Sequence, residues 1–386
     1  QTTNSRSIRE SLSIDFVATS RLTSNIIKSP GIVDEKWHQR ILPAVAIFGQ
    51  NGAGKSNILN ALFELFFLMV AGRLDKSSSG VSLSGIIRPF LFDPVAANKS
   101  TQYSVSFIFE GIICDYSLEV LKEVVISESL YLRESPTSSS EVFYDRKFSS
   151  DGAKWVYGPR MTNSHKELAG TIQASAIFFT LLSTLKISPI NQIREYLRGI
   201  SYPFTPRSKS MMVDDLLKSL KDDATFTDKL REFLCLLDIN ITKIQFDDSK
   251  VLFFHPTTTG GSAPLPLQAE SDGTQHLFLL GALILRSLKD GGLLIIDELD
   301  AHLHPLISHE IVSLFQDPVV NKKNAQLVFT SHDTTLIDQD LLDRDQIYFV
   351  NRGADGSTYA STIAGSKSRK DLVLQKAYLE GRLSGL

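Results

Sequence analysis

The chain has 386 residues, 42% hydrophobic and 22% charged, which is ordinary for a globular protein of two domains or one large head with insertions. A net charge of −3 excludes a global basic field for nucleic acid and leaves only a local face. Cys114 and Cys235 form no zinc or disulfide pattern, no signal peptide is visible, and the most apolar stretch, 58–71, is too short for a membrane span and carries Asn60 and Glu64. A cytoplasmic protein without a membrane partner is expected. The sequence begins at Gln1 rather than Met, so a few native residues are expected ahead of it.

Leu12 to Ala18 alternates apolar and polar residues, as a half-buried strand does. Ala44 to Phe48 is a short apolar run and reads as a buried strand. Gly49-Gln50-Asn51-Gly52-Ala53-Gly54-Lys55-Ser56 follows and fits G-x-x-x-x-G-K-[ST]. Ile58 to Phe67 is too long for a strand and reads as a buried helix. Strand, glycine loop and helix together mark a phosphate site, because glycines let backbone N–H groups turn onto phosphate oxygens and the helix start adds partial positive charge. Gly49, Asn51, Gly52, Gly54, Lys55, Ser56 and Asn57 are the candidate nucleotide-binding residues. Lys55 would reach the β- and γ-phosphates of ATP, and Ser56 would bind Mg²⁺.

Ser77 to Gly80 reads as a surface loop. Tyr103–Phe109 and Tyr116–Val120 alternate on either side of Gly111, which predicts an antiparallel meander, and Glu141 to Tyr157 adds short strands. Glu167 to Leu237 reads as helical, with Leu216, Leu217, Leu220, Leu230, Phe233, Leu234, Leu236 and Leu237 on helical spacings. Pro189, Pro203 and Pro206 exclude one long coiled coil. Ile239–Phe246 and Val251–Phe254 read as strands before a loop at Thr257–Gly261. The division expected is a first ATPase lobe over 1–185, a helical insert over 186–240 and a second lobe over 241–386.

A second cluster of motifs lies in that last part. Leu293 to Ile296 is an apolar strand that ends in Asp297 and Glu298. Asp297 is placed to share a Mg²⁺ with Ser56, and Glu298, pointing elsewhere, to polarise the attacking water. Glu270-Ser271-Asp272-Gly273-Thr274-Gln275 opens a buried helix, where Ser271 or Asp272 would serve as an N-cap whatever the function. Gln326 to Thr330 is a strand that runs into Ser331-His332-Asp333, and His332 at its rim is placed to contact a γ-phosphate.

This order of motifs resembles the ABC-type ATPases, in their RecF/SMC-like branch. Leu293 to Pro305 resembles the IDE-x-x-x-x-LHP motif of bacterial ATPases related to the abortive-infection and overcoming-lysogenization-defect proteins. Glu270 to Thr274 is similar to their E-S-D-G-T signature, and Lys376 to Arg382 is similar to their tail. The ATPase of the PARIS antiphage system is among the types it resembles. The resemblance implies an α/β P-loop NTPase of ABC-head type, with a mixed central sheet, an antiparallel β-subdomain and a helical insert. It also implies an ATP sandwich, a dimer or higher ring, in which ATP on Lys55 and Ser56 of one subunit is closed over by Ser271 and Gly273 of another. His332 takes the place of the switch histidine, and Asp300 that of the loop crossing the interface. Glu298 and His332 are the catalytic candidates. The setting implied is antiphage defence, with a phage protein or nucleic acid as trigger and a separate effector such as a Toprim-type nuclease.

The signature lacks the transporter form, and Gln102 is the candidate for the Q-loop glutamine. An AAA+ motor fits less well, since over half the chain separates Lys55 from Asp297. Two alternative functions are a non-hydrolysing ATP-dependent scaffold and a RecF-like DNA repair ATPase. His302, His304 and His309 lack a convincing zinc spacing and read as a loop and helix start. Arg194, Arg198, Arg207 and Lys209, or Lys367, Arg369 and Lys370, read as a solvated face rather than a DNA patch. The acids outside the second cluster form no nuclease constellation.

Overall fold

The computed structural model describes residues 1–18, 41–72, 82–149, 152–201, 220–221, 223–237, 239–247, 250–301, 303–338, 340–362 and 374–381. A short strand β1 (Thr2–Thr3) precedes β2 (Ala44–Gly49), helix α1 (Lys55–Ala71) and a single turn, α2 (Leu83–Ile86). Five strands follow: β3 (Thr101–Phe109), β4 (Ile112–Leu121), β5 (Val124–Arg133), β6 (Glu141–Ser149) and β7 (Gly152–Tyr157). Helices α3 (Asn163–Thr171), α4 (Phe178–Thr184), α5 (Ile190–Arg198) and α6 (Ala224–Leu236) lead to a small hairpin sheet. That sheet is built from β8 (Lys243–Asp247), β9 (Lys250–Pro256) and β10 (Ser262–Pro266). The last part alternates α7 (Asp272–Asp290), β11 (Leu293–Ile296), α8 (Pro305–Gln316), β12 (Gln326–Thr330), β13 (Ile347–Arg352), β14 (Thr358–Thr362) and α9 (Leu374–Leu379).

The central sheet has the order β11-β12-β2-β13-β14. Its first four strands are parallel, and β14 is the antiparallel edge. Every residue of β2 is buried, because both faces of the strand are covered. Val45 and Ile47 join one core with Leu59, Leu65 and Phe66 of α1 and with the six-stranded sheet. Ala44, Ala46 and Phe48 join a second core with Phe278 and Leu283 of α7, Phe315 of α8 and Leu374 of α9. Continuous apolar runs are what a strand buried on both faces requires. The six-stranded antiparallel sheet, β1-β3-β4-β5-β6-β7, is the expected meander. The small sheet packs on α7 through Phe253 and Phe278, whose rings are 5.3 Å apart.

Three segments differ from expectation. Leu12 to Ala18 is not a strand: only single bridges tie Leu12 to Thr2 and Val17 to Ile41. Its backbone serves side chains instead, with Asp15 N–H donating to the Tyr348 hydroxyl at 2.8 Å and Val17 N–H to the Asp15 carboxylate at 2.9 Å. Pro264 and Pro266 hide β10, which is an edge strand, the position that tolerates a missing N–H. The hairpin β13–β14 is also absent from the sequence reading, although β13 pairs directly with β2. The Ser77–Gly80 loop, Pro203, Pro206, Leu216, Leu217, His302, Arg207, Lys209, Lys367, Arg369, Lys370 and Arg382 lie outside the described residues. Among the described residues no helix is long and apolar enough to cross a membrane.

The β-subdomain is tied to α4 around a buried ion pair between β5 and β6. Arg146 and Glu128 side chains are 0% exposed, with 2.7 Å between the guanidinium and the carboxylate. Glu128 also accepts from the hydroxyls of Tyr116 and Tyr144, at 3.1 and 2.8 Å. The N–H groups of Phe178 and Phe179 donate to it as well, at 2.8 and 2.9 Å. These two N–H groups open α4, so the carboxylate also complements the helix start. Removing one member of such a pair strands a buried charge. Glu128→Gln is therefore expected to lower the unfolding free energy by about 3–5 kcal/mol, read as a lower urea midpoint. An unchanged midpoint would contradict the account of this lock.

Candidate functional site

The parallel strands β11, β12, β2 and β13 all end at one edge of the sheet, where α/β proteins hold ligands. The loop after β2 needs its glycines. Gly52 and Gly54 have φ of 75° and 103°, conformations that cost other residues strain. A Cβ on Gly49 would lie 2.3 Å from the Val350 carbonyl oxygen, and one on Gly54 would lie 2.0 Å from Thr358 Oγ1. Helix α1 begins with no side-chain cap. Its first N–H groups are thereby left for an anion.

Lys55 is buried, and its ammonium donates to the carbonyls of Gly49 at 2.8 Å and Gln50 at 3.2 Å. Burial pushes its pKa down, against the opposing pull of Asp297, Glu298 and Asp300. Three carboxylates thus face one lysine. Oxygen donors with excess negative charge suit a hard divalent cation such as Mg²⁺, which Asp297 and Ser56 would hold only with substrate phosphates completing its shell, since among the described residues no group of three ligating His, Cys, Asp or Glu side chains stands ready for a metal. Asn51 is exposed at the loop tip, while Asn57 donates to Ser7 Oγ at 2.7 Å.

Thr330 arranges the two adjacent acids. Its hydroxyl donates to Asp297 Oδ1 at 2.6 Å and accepts the Glu298 N–H at 2.7 Å. Glu298 is exposed and sits at φ 55°, a left-handed conformation that costs a branched-chain-free acid about 1 kcal/mol or more. Asp300 accepts from the backbone N–H of His332 at 3.1 and 3.3 Å, so the end of β11 and the end of β12 are tied together. The His332 ring is exposed at this rim.

Ser271 caps α7 and accepts from Thr274 N–H at 3.1 Å. The residue before it is clamped: His255 Nε2 lies 2.6 Å from Glu270 Oε1, and His255 Nδ1 lies 3.0 Å from the Asn240 carbonyl. Gln275 donates back to the Glu270 carbonyl at 2.9 Å. Ser271 is exposed and Gly273 half-buried. Among the described residues, no hydrogen bond or ion pair joins Ser271 or Gly273 to residues 49–57.

Sequence reading missed the residues that brace the phosphate loop from behind. Ser7 Oγ lies 2.7 Å from Thr358 Oγ1, the Thr358 hydroxyl donates to the Ala53 carbonyl at 2.9 Å, and Thr358 N–H donates to the Ser7 carbonyl at 2.8 Å. Tyr378 packs on Phe48 and Phe349, with ring centroids 6.4 and 5.3 Å apart. The apolar run Ile347 to Val350 was the available signal for β13; Ser7 and Thr358 gave none. Gln102 is a correction of position. It lies on β3, paired with Thr3, and its amide donates to Glu119 at 3.2 Å, away from the loop. Arg194 and Arg198 also have local partners, the Val70 carbonyl at 2.9 Å and Glu195 at 3.0 Å. His304 caps α8, accepting from Leu306 N–H at 3.3 Å.

Removing the Thr330 hydroxyl takes away both the donor to the Asp297 carboxylate and the acceptor of the Glu298 N–H. Thr330→Val is expected to cut Mg²⁺-dependent ATP turnover by about 10–100-fold, the usual cost of losing a group that orients a ligand. ATP binding measured without divalent ion should stay as in the wild type. Unchanged turnover would contradict this arrangement.

A parallel central sheet with a glycine loop between β2 and α1, beside an antiparallel subdomain, makes this an α/β P-loop NTPase fold. A search of curated proteins finds no match. Among solved structures the chain is similar to the SMC head domain from Thermotoga maritima, at 13% identity and a TM-score of 0.44, over 94% of this chain and 96% of that one. It is also similar to an SMC head solved bound to the C-winged helix domain of ScpA, at 14% identity and a TM-score of 0.42, over 95% and 97%. Residues 44–338, well over half of the chain, match the family described as "AAA domain, putative AbiEii toxin, Type IV TA system", and the chain belongs to that family.

Proposed function

We propose that this P-loop ATPase hydrolyses ATP in a site shared between two copies of the chain. The observation that carries the reading is the pair of adjacent acids at the end of β11, Asp297 held by its carboxylate and Glu298 by its N–H to the one Thr330 hydroxyl. Lys55 leaves its two carbonyl partners for the β- and γ-phosphates, a charge-assisted exchange. Mg²⁺, held by Ser56 and Asp297, would neutralise charge on the transferring phosphoryl oxygens. Glu298 takes a proton from the attacking water as its oxygen bonds to the γ-phosphorus, and ADP leaves. His332 steadies the γ-phosphate from the end of β12. Ser271 and Gly273 serve a partner's nucleotide, which fits the exposed Ser271 at the start of α7 and the absence, among the described residues, of a bond from either to their own phosphate loop.

The biological setting of the proposal is antiphage defence. The head would act as the regulator of a separate effector, such as a Toprim-type nuclease, responding to a phage protein or nucleic acid. The words "putative AbiEii toxin" and "Type IV TA system" in the family's description support this direction. Hydrolysis is favoured over a passive scaffold because a strained, exposed Glu298 has no evident packing role.

The test compares wild type with Glu298→Gln. Turnover should fall by at least about 100-fold in the variant, the usual share of a general base. The variant should also gather into a larger species with ATP, seen by mass. Equal turnover would remove Glu298 from the base role. For the setting, phage plating on cells carrying the chain with its native neighbouring genes should show protection that Lys55→Ala abolishes; equal protection would contradict it.

A further inference from the structure

The loop between α2 and β3 carries an aromatic ring that the fold leaves in solvent. Phe92 is 68% exposed, as are Leu91 at 70% and Val95 at 64%, while Phe90 and Asp93 anchor the loop between them. Phe90 is fully buried, its ring 5.6 Å from that of Phe92 in an edge-on contact, and its N–H donates to Asn4 Oδ1 at 3.1 Å. The Asn4 amide in turn donates to the carbonyls of Ala96, Lys99 and Ser100, at 2.8, 3.1 and 3.1 Å. Asp93 accepts from Val95 N–H at 2.8 Å and pairs with Arg9 at 2.6 Å, and Arg9 reaches Asp355 of the β13–β14 turn at 3.1 Å. The ring is thus exposed on a braced loop.

Its position relative to the phosphate loop is fixed by Arg352, the last residue of β13. The Arg352 guanidinium lies over the Phe92 ring, 5.9 Å from its centroid. One guanidinium nitrogen is 4.0 Å from where a Gly52 Cβ would stand. The other is 3.4 Å, and the Phe92 ring 3.2 Å, from the equivalent point on Gly356. Among the described residues no carboxylate pairs with Arg352. A cation stacked on an exposed aromatic therefore borders the loop that holds phosphates, on the side where the N-terminal turn carries Ser7 and its partner Asn57.

We infer that Phe92, backed by Arg352, is the shelf on which the purine base of the bound nucleotide stacks. The inference rests on the reading of residues 49–56 as the phosphate site. An aromatic face accepts a base without hydrogen-bond matching, and a guanidinium alongside strengthens the stack. A phosphate loop alone binds any polyphosphate; a shelf beside it makes the site one for nucleosides. The base would also shield apolar surface that now faces water.

The test is titration calorimetry with Mg²⁺ on wild type, Phe92→Ala and Phe92→Trp, using ATP and inorganic tripolyphosphate as two ligands. Phe92→Ala should weaken ATP about tenfold, the effect of losing one base–aromatic stack, and leave tripolyphosphate unchanged. Phe92→Trp should restore ATP binding. Unchanged ATP affinity in Phe92→Ala overturns the shelf, and a changed ATP-dependent mass in that variant would make the ring a contact between copies instead. Equal weakening of both ligands also overturns it, since the ring would then act through the loop's shape. If wild type binds neither ligand, the phosphate site itself fails and the shelf with it.

Discussion

The phosphate loop is held without clearance against the β13–β14 hairpin of its own sheet. Gly49 lies where a single added carbon would stand 2.3 Å from the Val350 carbonyl, and Gly54 where one would stand 2.0 Å from the Thr358 hydroxyl. Other parts of the site follow from that fit. It sets the start of α1, and so where the helix presents its uncapped N–H groups. It also brings the N-terminal turn into place, because Ser7 is bonded to both Thr358 and Asn57. Arg6 of that turn pairs with the buried Glu64 of α1, whose carboxyl burial pushes up and Arg6 pulls back down. The Tyr103 hydroxyl donates to the same carboxylate at 3.0 Å, extending the brace to the antiparallel sheet.

On the opposite side of β2, the acids depend on a single hydroxyl. Thr330 stands on the neighbouring strand β12, level with Ile47, and its bonds hold the Asp297 carboxylate and the Glu298 backbone. The strain at Glu298 is then local to a residue that the proposed chemistry uses, as expected where function rather than packing sets a conformation. The signature is positioned by other means. A small three-stranded sheet delivers His255 to Glu270, one residue ahead of the Ser271 cap, so the start of α7 is fixed from outside the central sheet. The two halves of the proposed site are thus rigid separately, which suits a site completed by association.

The parts legible in the sequence were those whose information is local. The phosphate loop, the apolar strand ending in Asp297 and Glu298, the Ser271 cap and the alternating meander each declare themselves within about ten residues. The residues that brace them do not. Ser7 and Thr358 are ordinary polar residues, 351 positions apart, and only the fold makes them partners. Leu12 to Ala18 has a strand's alternation without a strand's ladder, because Asp15 and Tyr348 compete for its backbone. Pro264 and Pro266 conceal an edge strand for the opposite reason: the sequence rule against proline is a rule about interior strands. Gln102, only a candidate in the sequence, lies in the structure on β3 opposite Glu119 of β4, to which its amide donates.

The central claim is that one copy's phosphate loop is completed by another copy's signature. The most direct measurement is ATP turnover of an equal mixture of two inactive proteins, Lys55→Ala and Ser271→Arg. In a mixed pair, the Ser271→Arg chain supplies an intact phosphate loop and the Lys55→Ala chain an intact signature. The account predicts that each variant alone is inactive and that the mixture recovers a measurable part of wild-type turnover. A mixture as inactive as its components would place the complete site within one chain and contradict the account.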